Sequence, residues 1–231
     1  MCAASSIISG EHLVKRYPSP DGGTITVLND VSLSVERTGS LAVVGPSGSG
    51  KSTLLNLLGA LDVPDAGDVI IAGKRIASLD EKERSHVRNT DIGFVFQLHH
   101  LLPQLTVLEN VMLPALAFDR RVSDEIHSRA RKLCDRVGLS KRIDHLPGGI
   151  SGGERQRAAI VRALIMRPKL LLADEPTGSL DRTTATDIAD LLVELNREEG
   201  LALITVTHAE DVAARMGSAV HLSGGALIKT R

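Results

Sequence analysis

Gly45-Pro46-Ser47-Gly48-Ser49-Gly50-Lys51-Ser52-Thr53 follows the pattern G-x-x-x-x-G-K-[ST], and its flanks decide how it reads. Ahead of it, residues 40–44 form a short apolar run that predicts a buried strand. Behind it, residues 52–58 predict a helix. In that setting the glycines let the backbone curl so that successive N–H groups face a polyphosphate. The helix N-terminus adds partial positive charge. Lys51 then reaches the β- and γ-phosphates, and the Ser52 hydroxyl binds Mg²⁺. The bland alternative is a Gly/Ser turn ahead of a lysine. Strand before and helix after weigh against it.

The 231 residues allow one large domain or two small lobes. Hydrophobic residues make up 42% and charged residues 24%, the balance of an ordinary globular protein. With a net charge of −1, no global field recruits nucleic acid or an anionic membrane. Aromatics are 2% with no Trp, which argues against base-stacking platforms. Cys2 and Cys134 make no disulfide framework and have no metal-ligand spacing. Cys134 falls on the apolar side of a predicted helix, and a reducing, cytoplasmic setting fits. The least charged stretch, residues 93–108, contains Gln97, His99, His100, Pro103 and Gln104, and falls short of the ~18 apolar residues a span needs. Residues 1–10 lack the basic start and apolar run of a secretion signal. A role at a membrane would need a partner to hold the chain there.

Outward from the loop, residues 7–17 predict a strand and residues 19–23 a turn. Residues 24–28 and 31–36 predict two further strands, and 68–71 with 74–76 a hairpin across Ala72-Gly73. With residues 91–96 these pieces suggest an antiparallel sheet beside the loop. Residues 98–166 turn helical, with a helix over 123–137 ended by Gly138. This reads as a helical lobe inserted between two halves of the core. Residues 169–174 predict a buried strand, 183–199 a helix, 201–207 a strand, and 219–228 a last hairpin. Strand alternating with helix implies a parallel sheet, whose ligands sit at carboxyl strand ends. The loop, Asp174, His208 and Gln97 all lie at such ends.

Asp174 closes its hydrophobic strand as a Mg²⁺ ligand would, and Glu175 beside it can polarise an attacking water. Read alone, Gln97 can touch Mg²⁺ or the water, and His208 can donate to a γ-phosphate or be structural. Tyr17 can stack on a base or lie on the sheet surface. Ser151-Gly152-Gly153-Glu154 opens the next helix with an S-x-x-E capping box. A capping box does not require two glycines. They leave backbone N–H groups bare at a positive helix end, a second anion site. One chain thus shows two phosphate-binding ends and one set of catalytic residues.

Together these residues resemble the ATP-binding subunits of ABC transporters, in the family's order and over nearly the whole chain. The resemblance implies a P-loop α/β core with a parallel sheet, an antiparallel β-subdomain and an inserted α-helical subdomain. It divides the chain into residues 1–97, 98–166 and 167–231. It implies ATP and Mg²⁺ bound by residues 45–53, with Tyr17 stacking on adenine, Gln97 as the glutamine of the Q-loop and Ser151–Glu154 as the signature. Asp174 and Glu175 close the second acidic motif, Ser179-Leu180-Asp181 is the D-loop, and His208 is the switch histidine. Ile150 stands where Leu is usual and Glu154 where Gln is frequent, and neither alters the site. The family works as a head-to-tail dimer with ATP between protomers, so Lys51 and Glu175 of one copy would face Ser151, Gly153 and Glu154 of the other.

Residues 94–103, continuing through Thr106-Val107-Leu108-Glu109-Asn110-Val111 to Pro114, are similar to the LolD subgroup, the ATPases of lipoprotein-releasing LolCDE complexes. This implies LolC/LolE-like membrane subunits docking near residues 97–114 at the cytoplasmic face of the inner membrane. MacB-like exporters and FtsE-like division ATPases share much of the pattern and stay open as alternatives. Among Leu98, Leu101, Leu102, Leu105 and Leu108, some would form an exposed docking patch and at least half would be buried. A soluble repair or translation ATPase is disfavoured: only about 53 residues separate Gln97 from Ser151, without sustained heptads, and one cassette is present rather than two.

Overall fold

The computed structural model describes residues 6–117 and 121–229; Cys2 lies outside them. Two sheets carry the fold. The smaller contains β1 (Ser6–Pro18), β2 (Thr24–Glu36), β4 (Ala66–Ile71) and β5 (Lys74–Arg75), antiparallel and ordered β2-β1-β4-β5. The larger contains β3 (Ser40–Val44), β6 (Ile92–Phe96), β7 (Leu170–Asp174), β8 (Ala202–Thr207), β9 (Ser218–Ser223) and β10 (Ala226–Lys229). Its order is β10-β9-β3-β8-β7-β6, parallel except for β10 at the edge.

Seven helices complete the described residues: α1 (Lys51–Leu58), α2 (Glu81–Thr90), α3 (Val107–Met112), α4 (Asp124–Arg136), α5 (Gly152–Leu164), α6 (Arg182–Glu198) and α7 (Glu210–Ala213). The large sheet divides the core by the two-residue period of its strands. Leu41, Val43, Leu170, Leu172, Ile204 and Val206 face one way, into a cluster with α1 and the antiparallel sheet. Ala42, Val44, Leu171, Ala173 and Leu203 face the other way, packed with α3, α4, α5 and α6. Strands buried on both faces read as continuous apolar runs, which is why β7 and β8 show no alternation.

Several elements differ from the sequence reading. Residues 91–96 do not join the antiparallel sheet: β6 pairs in parallel with β7, Ile92 to Leu170 through Phe96 to Asp174. A five-residue apolar strand has no local mark of its partner. Residues 24–36 form one bent strand rather than two. Asp30, with φ 57°, bulges where the sequence reading left a break between strands, opposite His12 with φ 52°, and the His12 Nδ1–Asp30 Oδ1 contact of 2.6 Å braces the irregularity. The second arm of the 68–76 hairpin stops at Arg75, and Ile76–Ser78 forms a 3₁₀ turn. The helices α2 and α7 were not expected. Val87 is the one buried residue of α2, so no apolar stripe marks it; its signal is the capping box of Asp80 and Glu83.

Helix α4 begins at its N-cap Ser123 and buries Ala130, Leu133 and Cys134. Burial pushes the Cys134 thiol up to about 11.

Candidate nucleotide site

The parallel order brings β3, β8 and β7 side by side, so their carboxyl ends gather the loop, His208 and Asp174. Gly48 (φ 78°) and Gly50 (φ 100°) take left-handed conformations that let the loop turn back on itself. A Cβ at Gly45 would run into the Leu222 carbonyl of β9, so that glycine seats the loop against the sheet. Gly50 is the N-cap of α1 but offers no side-chain hydrogen bond, and the first turn holds no acid. The N–H groups of Lys51, Ser52 and Thr53 therefore stay unclaimed at the positive end of the helix.

Lys51 is buried, and its Nζ donates to the carbonyls of Gly45 (2.8 Å) and Pro46 (3.0 Å). The ammonium is thus held within the loop. Ser47 is exposed, while the Ser49 hydroxyl is buried without a protein partner. Ser52 Oγ lies 3.5 Å from Asp174 Oδ1. Burial raises the Asp174 carboxyl, opposed by Ser52 and helped by the charge of Glu175. A half-buried carboxylate with an exposed hydroxyl beside it is the kind of donor set a hard dication takes while keeping most of its waters.

Glu175 follows β7 with φ 44°, a left-handed conformation that costs a non-glycine residue about 1–3 kcal/mol. Its N–H donates to the Val206 carbonyl at 2.9 Å, which anchors the turn. Its carboxylate accepts from Thr207 Oγ1 (3.1 Å), the His208 N–H (3.4 Å) and His208 Nδ1 (2.8 Å). A proton on Nδ1 makes Nε2 of neutral His208 an acceptor; only the imidazolium donates from both nitrogens. Thr207, fully buried, was not anticipated. Its one sequence signal is its place between the strand and His208.

Tyr17 is half-buried, and its hydroxyl donates to Asp62 Oδ2 at 2.9 Å. Lys15 Nζ sits 5.2 Å from the ring centroid and donates to Asp62 Oδ1 (2.7 Å) and the Val63 carbonyl (2.8 Å). Burial and Asp62 push the phenol up, while Thr53 of the loop pulls the other way. Neither Lys15 nor Asp62 was expected; they share no motif spacing with Tyr17.

Gln97 stands apart from the Ser52–Asp174 pair. Its carbonyl accepts from Ser179 Oγ at 3.3 Å, and its amide lies against Gly178, whose Cβ would approach Gln97 Nε2 to 2.9 Å. The amide makes no hydrogen bond to either oxygen of the pair. Asp181 caps α6 through Thr183 N and Thr184 N, both 3.1 Å. The hydrogen bonds from Thr184 hold the Asp181 carboxyl below its ordinary value.

The N-terminus of α5 lies beside this turn. A Cβ at Gly152 would meet Leu180 at 3.5 Å, and one at Gly153 would meet Thr184 at 2.6 Å. The helix end is less bare than the two glycines suggested. Ser151 Oγ accepts from Glu154 N (3.2 Å), and Glu154 Oε2 accepts from Ser151 N (2.7 Å). Arg142 Nε reaches Glu154 Oε1 at 2.8 Å and, with the Ser151 bonds, lowers the carboxyl to about 2. The N–H groups of Gly152 and Gly153 stay free.

The ABC transporter family pattern matches residues 28–178. The chain belongs to the ABC transporter family. Two bacterial relatives are lipoprotein-releasing system ATP-binding proteins: LolD 1 of Rhodopirellula baltica, 52% identical over 94% of either chain, and LolD of Bordetella pertussis, 50% identical over 95% of this chain and 94% of that one. A solved dimeric ATP-binding cassette in a post-hydrolysis state, bound to ADP and Pi, superposes with a TM-score of 0.86 at 37% identity, covering 97% of this chain and 99% of that one. As a family member the chain is an ATP-hydrolysing subunit of a membrane transporter and carries the mixed α/β cassette fold. Among the described residues, no helix is long and apolar enough to cross a membrane.

Proposed function

We propose that this chain is the ATPase motor of a LolCDE-type complex that releases lipoproteins from the inner membrane. One observation carries the site: an uncapped, acid-free helix end on the phosphate loop stands one strand away from Glu175, whose carboxylate three donors hold. The substrate class rests on the LolD relatives, about half identical over nearly the whole length.

The roles follow from placement. The free N–H groups of α1 and the Lys51 ammonium take the phosphates, and Tyr17 offers its ring to adenine. Ser52 and Asp174 would hold Mg²⁺, which supplies charge neutralisation at the β- and γ-phosphates; Gln97 would join through motion of its loop. Glu175 accepts a proton from the attacking water, and His208 passes from Glu175 to the γ-phosphate. Ser151, Gly152, Gly153 and Glu154 of a second copy close the site, with Asp181 at the seam. ATP shuts this head-to-tail dimer and hydrolysis reopens it. LolC/LolE-like membrane subunits receive the motion near residues 97–114 and hold the chain at the cytoplasmic face of the inner membrane.

A Glu175→Gln protein should bind ATP and dimerise, with turnover reduced about 10²–10⁴-fold. Brisk turnover by that variant would remove Glu175 as the base. Co-purification of tagged protein from its own cells should yield a LolC/LolE-like membrane pair; an FtsX-like partner would move the function to division.

A further inference from the structure

His99 and His100 are consecutive non-glycine residues with left-handed backbones, φ 59° and 49°. They lie just beyond Gln97, in the loop that leads to α3. Such a pair persists only where surroundings over-determine it. Here the His99 N–H donates to the Phe96 carbonyl (3.2 Å), the His100 N–H donates to the Leu98 carbonyl (2.6 Å), and a single guanidinium holds both outward carbonyls. Arg162 donates through one terminal nitrogen to the His99 carbonyl (2.6 Å) and through the other to the His100 carbonyl (2.5 Å). No carboxylate pairs with Arg162 among the described ion pairs, so a fixed positive charge is spent on two backbone oxygens. Packing fixes the kink from the side-chain direction too: the His100 ring meets the edge of Phe96 with centroids 5.3 Å apart, and His99 Nε2 is buried without a partner.

The far end of the loop is also pinned. Asn110, fully buried in α3, accepts from Leu102 N (2.7 Å) and donates to the carbonyls of Leu102, Leu105 and Thr106. Between the two pins stand the exposed side chains of Leu98 (73%) and Leu102 (46%). Arg162 lies roughly three turns along α5 from the Ser151–Glu154 end. One rigid helix therefore carries both the clamp on the loop and the second anion site.

We propose that Arg162 is a positioning residue that couples the 98–102 loop to the N-terminus of α5. A displacement of Leu98 and Leu102 by a membrane subunit pulls on the two carbonyls, and α5 carries it to Ser151 and Gly153. The proposal rests on the transporter reading above, and extends it by naming the connection.

The test uses the full chain, alone and with the membrane subunits that co-purify with it. For Arg162→Met, KM and kcat of the isolated chain should stay within about twofold, while stimulation by the membrane subunits should fall about tenfold. Arg162→Lys keeps the charge but not the two-pronged geometry, and should resemble Arg162→Met. Adding His99→Gly and His100→Gly lets the kink form without the clamp but supplies no connection to α5, so stimulation in Arg162→Met should stay low. Unchanged stimulation in Arg162→Met overturns the proposal, as does an equal loss of isolated turnover or recovery of the stimulation by the glycines. If Arg162→Met does not fold, Arg162→Lys with and without the glycines decides by the same criteria. The Glu175→Gln protein in the same assay separates the two claims: brisk turnover there removes Glu175 as the base and leaves the clamp to be judged by stimulation.

Discussion

The N-termini of α1 and α5 are both rich in glycine, and they are finished in opposite ways. At α1 the N-cap is a glycine, no acid occupies the first turn, and nothing on the chain claims the first N–H groups. At α5 a serine and a glutamate close a capping box, and Arg142 holds the glutamate in place. A complete box satisfies two donors and puts a negative charge at the positive end. The first end is therefore ready for a highly charged ligand by itself. The second keeps two glycine N–H groups and suits an anion that another surface already holds. One strong and one weak end are what a site shared between two copies requires, because a strong second end would trap free nucleotide on its own.

The largest effect that would break this contrast comes from Lys51. Replacing it by alanine removes the charged donor beside the bare end, and ATP affinity of the isolated chain should fall about 10–100-fold, read with a fluorescent nucleotide. Ser151→Ala should leave that affinity unchanged while lowering stability by about 1 kcal/mol through loss of the cap, read by urea unfolding. In the same variant ATP-driven dimerisation, followed by light scattering, should weaken. If Ser151→Ala weakened nucleotide binding to the single chain as much as Lys51→Ala, the two ends would be equivalent.

A smaller effect comes from pH. Glu154 is held at about 2, below its ordinary 4.5. A depressed carboxyl stabilises the fold fully above its unfolded value and loses that contribution as pH falls through the folded one. The stability difference between native protein and Glu154→Gln should thus stay flat above about pH 4.5 and shrink toward pH 2. Solvent screening keeps it under about 1 kcal/mol. Smallest in stability terms is Cys134: with its thiol raised to about 11, alkylation at pH 8 followed by peptide mapping should find Cys134 unmodified until the chain unfolds.

Both ends were legible in the sequence as motifs, and their difference was not. The loop, Asp174-Glu175 and Ser151–Glu154 are short local patterns whose chemistry depends on neighbours in the chain. What depended on distant partners stayed hidden. Residues 92–96 read the same whether beside β7 or in the antiparallel sheet. Asp30 looks like a turn residue until His12 is brought opposite it. The two carbonyls that engage Arg162 come from 62 and 63 positions away, in a loop with no periodicity. Helix α2 was missed for another reason: with Val87 alone buried, only its cap distinguished it from a polar connection. The leucines of the 98–108 stretch divided partly as expected, with Leu98 and Leu102 exposed, Leu101 and Leu105 half-buried and Leu108 in the core.

Gly45 leans on the Leu222 carbonyl, and Val44 sits in register beside His221. The phosphate loop is thus an early segment whose seat is supplied by a strand that is translated much later. A growing chain on the ribosome carries the whole loop sequence long before it has the surface that shapes it. Nucleotide stabilises only what can bind it, and the seat of its loop is incomplete until β9 emerges. Disturbing β9 should therefore reach the nucleotide from a distance, through the seat of the loop rather than through any residue that touches a phosphate.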